Sequence, residues 1–188
     1  MNESHLRFLS SPEWAQMLED ELLPWIDAAG AIGDDVLEIG PGPGLTTDIL
    51  RQRARHVTAV EIDPSLGTAL RERMAGTNVE VVVADATAAG LPGDRFSAAA
   101  CFSVLHHMPS PADQDRLFAE LHRVLRPGGR FVGQESLDLE AIRAGHADDT
   151  FTPVAPDALA ARLAAVGFGA LTTDVLGYHY RFVAQKPM

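Results

Sequence analysis

The chain has one cysteine, Cys101, and one lysine, Lys186, among its 15 basic residues. A lone cysteine excludes an intrachain disulfide and a thiolate cluster, and its setting in Ala98-Ala99-Ala100-Cys101-Phe102 reads as a buried strand position rather than a reactive one. The shortage of cations goes with an excess of carboxylates, for a formal net charge of −11. Nucleic acids and anionic membranes are bound by neutralising phosphate with Lys and Arg, so neither is an expected partner. Long apolar runs are also missing, which excludes a membrane-spanning helix. Met1 to His5 lacks a basic region followed by an apolar core, and a cytoplasmic location is expected. No internal repeat or low-complexity tract is evident.

What is present suits one globular domain. The 188 residues are 46% hydrophobic and 22% charged, enough for a proper core and too few for a separate substrate domain. The organising stretch is Val36-Leu37-Glu38-Ile39-Gly40-Pro41-Gly42-Pro43-Gly44, an apolar run that ends in three alternate glycines and is followed by helix-compatible sequence. It predicts strand, tight turn and helix. Glycines allow positive φ and let a ligand lie against the main chain, near the N–H groups that open the helix.

The spacing discriminates among nucleotide-type ligands. A dinucleotide fingerprint wants a small residue at position 45, which is Leu45, and a Walker loop wants a Gly-Lys pair that is absent. Glu38 inside the strand repels a pyrophosphate and suits an ammonium or sulfonium. Glu-x-Gly-x-Gly-x-Gly closing a first strand resembles the motif of the class I S-adenosylmethionine-dependent methyltransferases. The resemblance implies an α/β, doubly wound, Rossmann-like fold with a mostly parallel seven-stranded sheet and helices on both faces. The implied cofactor is S-adenosylmethionine, with S-adenosylhomocysteine as product.

Taken in order, residues 11 to 30 place Trp14, Met17, Leu18, Leu22, Trp25 and Ile26 on one helical face, after Ser11-Pro12-Glu13 as cap and first turn. Pro24 is expected to break or kink this helix. Thr46 to Ala54 reads as helix, His56 to Glu61 as strand and Pro64 to Ala75 as helix. Glu61 stands at the strand's C-terminal end, where an acidic residue meets ribose hydroxyls in doubly wound folds; Asp63 reads as the cap of the next helix. Val79 to Ala84 is a third strand ending in Asp85-Ala86, and the resemblance implies that Asp85 accepts from the adenine amino group. Ile62 offers an apolar face for the adenine ring.

The fourth strand, Ala98 to Ser103, runs into Val104-Leu105-His106-His107-Met108-Pro109. This run, with the later Arg123-Val124-Leu125-Arg126-Pro127-Gly128-Gly129, resembles the small-molecule methyltransferases of ubiquinone and menaquinone biosynthesis (methyltransferase type 11). Ser97 departs from the acidic residue common there. Pro127-Gly128-Gly129 is expected to turn into a fifth strand at Arg130 to Gln134. Residues 137 to 156 read as less regular, Pro156 to Gly167 as helix, and Ala170 to Val175 and Tyr178 to Gln185 as closing strands.

The expected layout is a single domain: a helical lid at 1–33, a cofactor core at 34–136, a possible substrate segment at 137–156 and a closing helix and strands at 157–188. Glu38, Gly40, Pro41, Gly42 and Gly44 would cradle the methionine end, Glu61 the ribose, and Ile62, Asp85 and Ala86 the adenine. Backbone groups near Ser103 would close the methionine side. His106 is the candidate general base, because imidazole titrates near neutral pH. No ligand spacing recommends a metal site built from His106, His107, His146, Asp148 and Asp149, so none is expected and His146 to Asp149 reads as a solvated loop.

The opening motifs are also similar to those of the ribosomal RNA adenine dimethylases. That resemblance ends at the fourth strand, where Ser103-Val104-Leu105-His106 replaces an Asn/Asp-Pro-Pro-Tyr-type loop. A small-molecule acceptor is therefore expected. Alternatives are an RNA adenine methyltransferase-like enzyme and a non-catalytic S-adenosylmethionine-binding module, with a nicotinamide-dependent oxidoreductase disfavoured by Leu45 and Glu38.

Overall fold

The computed structural model describes residues 6, 7, 9–30 and 32–188. The reading of Met1 to His5 lies outside the described residues. Seven strands form one sheet, with β1 (Asp35–Ile39), β2 (His56–Glu61), β3 (Val79–Val83), β4 (Phe96–Phe102), β5 (Leu125–Ser136), β6 (Gly169–Leu176) and β7 (His179–Gln185) in the order β3-β2-β1-β4-β5-β7-β6. Strands β1 to β5 pair in parallel, and β7 inserts antiparallel between β5 and β6. The order reverses between β1 and β4, which opens a crevice at the C-terminal ends of these two strands.

Helices cover both faces because the strands are apolar on both. Along β1, Leu37 and Ile39 join Ala99, Cys101 and Phe131 against α5 (Pro111–Val124) and α7 (Pro156–Ala165). Val36 faces the other way with Val57, Ala98 and Val132, on the side of α3 (Leu45–Leu50). Strand β2 carries α4 (Pro64–Arg73) on that same side through Ala59, Leu70 and Met74. Asp63 caps α4, as its sequence position predicts, by accepting from the N–H groups of Ser65 and Leu66.

The N-terminal helical segment differs from expectation at Pro24. It consists of α1 (Pro12–Met17), a π-helical turn (Leu18–Leu22) and α2 (Leu23–Ala29), and it continues through the proline. The widened turn just before Pro24 takes up the missing N–H and the ring's bulk. Trp14, Leu18, Leu22 and Ile26 still share one buried face, packed on Ile49. Helix α3 is shorter than expected, ending at Leu50, and the chain turns immediately afterwards.

Strand β5 also departs from the expected start at Arg130. Leu125 already pairs with Phe96, Arg126 and Pro127 bulge outward, and regular pairing resumes between Ala98 and Arg130. Leu125 and Phe96 are both fully buried, so the core holds the strand's first residue in place while Arg126 and Pro127 stay exposed. Ser97 hydrogen-bonds both the N–H and the carbonyl of Asp35 at 3.0 and 2.7 Å, tying β4 to β1. The 137–156 segment contains one short helix, α6 (Glu140–Gly145).

Candidate active site

The turn after β1 is built on left-handed backbone. Gly40, Gly42 and Gly44 have φ of 62, 55 and 85°, a conformation costly for any residue with a Cβ. A Cβ at Gly40 would meet Val104 at 2.7 Å and one at Gly44 would meet Leu70 and Arg73 at 2.4 Å, so those two glycines permit packing. A Cβ at Gly42 would meet nothing within 4 Å, which makes this the glycine that presents bare backbone to the crevice.

Three side chains brace the turn. Glu61 accepts from the Gly42 N–H at 3.0 Å through Oε2 and from the Asp63 N–H at 2.9 Å through Oε1. Arg73 donates from one nitrogen to the carbonyls of Pro43 and Gly44, each at 2.9 Å. Glu38 accepts from the hydroxyls of Thr46 and Thr47, the latter at 2.6 Å. Burial of Glu38 outweighs these two hydrogen bonds and raises its pKa to about 7.

Three adjoining cavities run along the strand ends. The first, about 440 Å³, is lined by Gly40, Pro41, Gly42, Glu61, Ser103 and the indole of Trp14 among others. A second, about 210 Å³, shares Ile62 and His107 with the first and adds Asp85, Ala86 and Met108. The third, about 280 Å³, shares Trp14 and Ser103 with the first and is bounded by His106, His146, Ser136 and Tyr178.

The site residues expected from sequence therefore fall into groups. Gly40, Pro41, Gly42, Glu61, Ile62 and Ser103 line the large cavity, and Ile62, Asp85 and Ala86 its neighbour. Ile62 is 68% exposed, an apolar side chain presented at the cavity wall. Asp85 accepts twice from Thr87, and both bonds fall on Oδ1. Ser103 has a φ of 59°. Its N–H donates to the Gln134 carbonyl at 2.8 Å, which leaves its other atoms at the cavity wall. Glu38 and Gly44 do not line the large cavity: they lie behind it, holding α3. Cys101 is fully buried, and burial pushes its thiol well above the ordinary range, in keeping with a structural role.

His106 lines the third cavity. Its Nδ1 is 2.5 Å from Glu135 Oε2, while Glu135 Oε1 accepts from the N–H groups of Val104 and Leu105 at 2.9 and 2.8 Å. The imidazole is thereby fixed with Nε2 as its reactive atom, and this buried nitrogen has no hydrogen-bond partner. Sequence reasoning missed Glu135 and Arg73. The available signal for Glu135 was a carboxylate at the end of a parallel strand beside the switch point.

The expected solvated loop at His146 to Asp149 holds for the exposed Ala147 and Asp148 and is corrected at His146 and Asp149, which are half-buried. Thr152 N–H donates to the His106 carbonyl at 2.7 Å, and Gln114 donates to both Leu105 and Thr152 carbonyls at 2.8 Å. These bonds draw the segment inward until the His146 ring lies 5.2 Å from that of His106.

The methyltransferase domain model matches residues 37–133, more than half of the chain. The chain belongs to the class I S-adenosylmethionine-dependent methyltransferases. Among curated relatives, it is 33% identical over 111 residues to a ubiquinone biosynthesis O-methyltransferase of Pseudomonas aeruginosa, covering 56% of this chain and 46% of that one. An rRNA adenine N-6-methyltransferase of Saccharopolyspora erythraea is 52% identical over 63 residues, covering 33% of this chain and 16% of that one. The chain thus spans less than half the length of either methyltransferase. A Pyrococcus horikoshii crystal structure shares the fold with a TM-score of 0.79 at 19% identity, covering 95% of this chain and 93% of that one. A Haemonchus contortus phosphoethanolamine N-methyltransferase does so with a TM-score of 0.72 at 15% identity, over 83% of this chain and 49% of that one. No described helix of this methyltransferase is long and apolar enough to cross a membrane.

Proposed function

We propose that this methyltransferase moves the methyl group of S-adenosylmethionine to a small-molecule acceptor held in the third cavity. The observation that carries the reading is the line of three cavities meeting at Ser103 and His107, with the buried, partner-free Nε2 of His106 on the acceptor side. The cofactor suits the residues present: bare backbone at Gly42, the Glu61 carboxylate for a ribose diol, and Ile62 with Asp85 for an adenine ring. When bound, it supplies an activated methyl on a sulfonium leaving group.

The protein's part is positioning, exclusion of water and management of one proton. Trp14 walls both the cofactor and the acceptor cavities. An attacking hydroxyl, amine or enol gives its proton to His106 Nε2, and the imidazolium so formed is stabilised by Glu135 at Nδ1. The acceptor cavity is lined by imidazoles, amide, hydroxyl and apolar groups with no Asp, Glu, Lys or Arg among its described residues. That lining favours an uncharged acceptor.

The similarity to an rRNA adenine methyltransferase supports a second reading, with RNA as acceptor. The net charge of −11 and the Ser103-Val104-Leu105-His106 stretch weigh against it. Incubation with methyl-labelled S-adenosylmethionine, a metabolite extract and total RNA separates the two. Label in the low-molecular-weight fraction is the expected result; label in RNA alone would overturn the small-molecule reading.

A further inference from the structure

His106, His107 and His146 converge at the meeting point of the cavities, each offering a ligand atom within 4.8 Å of the others. The ring centroids of His106 are 4.3 Å from those of His107 and 5.2 Å from those of His146. In each ring Nδ1 is turned toward an oxygen outside the trio. For His106 this is Glu135 Oε2 at 2.5 Å, for His146 the Ile142 carbonyl at 2.8 Å, and for His107 Asp149 Oδ2 at 3.9 Å. For His106 and His146 the Nδ1 hydrogen bond to a carboxylate or carbonyl leaves Nε2 as the ligand atom, the arrangement that orients metal-ligating histidines and raises their basicity, while the His107–Asp149 separation is too long for such a bond.

We propose that these three histidines bind a divalent first-row transition ion of the zinc class, as a three-imidazole site with one open position. Three observations support it. His106 is 1% exposed and its Nε2 has no hydrogen-bond partner, a costly state for a buried nitrogen unless something occupies the space before it. Glu135 and Asp149 place two carboxyl groups in the layer behind the rings, 2.5 Å from His106 Nδ1 and 3.9 Å from His107 Nδ1. Imidazole is a preferred donor for zinc, cobalt, nickel, copper and iron, whereas magnesium and calcium want oxygen.

Tetrahedral ligation with bonds of ~2.1 Å sets ligand nitrogens ~3.4 Å apart, so the trio closes on an ion by small side-chain torsions. His106 stays fixed by Glu135, and His107 and His146 move to it. His106 and His146 line the 280 Å³ cavity and His107 the two beside it, so an ion held by the trio would border all three. An ion and a proton compete for the same lone pair on His106 Nε2, so loading the site takes the proposed base out of action. The site itself requires neither cofactor nor acceptor.

The test is titration of the chelator-treated, full-length protein with cobalt(II), followed by visible absorption. Saturation at one ion per chain with four-coordinate d–d bands, and their loss on adding zinc, is the expected result. His146→Ala should weaken cobalt binding at least tenfold while the melting temperature and S-adenosylmethionine binding stay as in the wild type. Glu135→Gln should weaken it ~10- to 100-fold through the orientation of His106 and of the turn that carries it. Absence of four-coordinate bands, or unchanged affinity in His146→Ala, would overturn the site and leave the methyltransferase reading untouched.

Discussion

Glu135 Oε2 lies 2.5 Å from His106 Nδ1, with both side chains 1% exposed. This contact joins the end of β5 to the turn after β4, and Glu135 also holds that turn through the Val104 and Leu105 N–H groups. On the proposed mechanism the carboxylate is a positioning residue that acts through His106. His106→Ala should leave S-adenosylmethionine affinity within about threefold of wild type and lower single-turnover methyl transfer by a factor of ~100. Glu135→Gln should lower transfer in the same way, and the double variant should be no worse than the worse single one, because the two act as a unit. Equal loss of cofactor binding in His106→Ala would assign the ring to structure instead.

A second prediction concerns Glu61, which spans the Gly42 and Asp63 N–H groups at the edge of the large cavity. Glu61→Ala removes the acceptor of the Gly42 and Asp63 N–H groups and, on the proposed reading, the acceptor for a ribose diol. A loss of about 2–3 kcal/mol, or roughly 30- to 150-fold in dissociation constant, is expected by calorimetric titration with S-adenosylmethionine. An unchanged constant would remove Glu61 from the site.

The three glycines should respond differently to a methyl group. Gly42→Ala places Cβ in open space at the cavity, so it should weaken cofactor binding more than tenfold while costing only the ~1–2 kcal/mol of a left-handed alanine. Gly44→Ala drives Cβ into Leu70 and Arg73 and should lower the melting temperature further than Gly42→Ala does. Thermal denaturation and cofactor titration of both variants decide this; a reversed order would contradict the assignment of Gly42 to the ligand.

Burial raises the Glu38 carboxyl to about 7 in the folded protein, against 4.5 for the unperturbed group. The folded state then binds more proton than the unfolded state between these values, so this group's contribution to stability falls as pH rises from about 4.5 to 7. The full amplitude is on the order of 3 kcal/mol. Urea denaturation of wild type and Glu38→Gln at pH 4.5 and 7.5 isolates it. Relative to wild type, the variant should gain stability at the higher pH, and a parallel pH dependence in both proteins would refute the shift.

The parts of this molecule legible in its sequence are those fixed by local pattern. Val36 to Gly44 announces strand, turn and helix through its apolar run and alternate glycines, and Glu61 and Asp85 stand, as their sequence positions predict, at strand ends that border the cavities. The features that escaped depend on long-range placement. Arg73 reads as the last turn of a helix, and its reach to the Pro43 and Gly44 carbonyls exists only because α4 packs beside α3. His146 reads as loop because nothing nearby in sequence reports the bonds from Thr152 to His106 and from Gln114 to Thr152 that pull the segment inward. Pro24 misleads in the opposite sense, since the accommodating π turn at Leu18–Leu22 has no sequence mark.

The most direct measurement is a thermal-shift comparison of the purified protein with S-adenosylmethionine, S-adenosylhomocysteine, NAD and NADP. A ligand at a hundred times its dissociation constant adds about 2.7 kcal/mol, or roughly 5 to 10 °C for a domain of this size. The account predicts a rise of that order with the two adenosyl compounds and none with the nicotinamide cofactors. A rise with NAD or NADP alone, or none with any of the four, would contradict it.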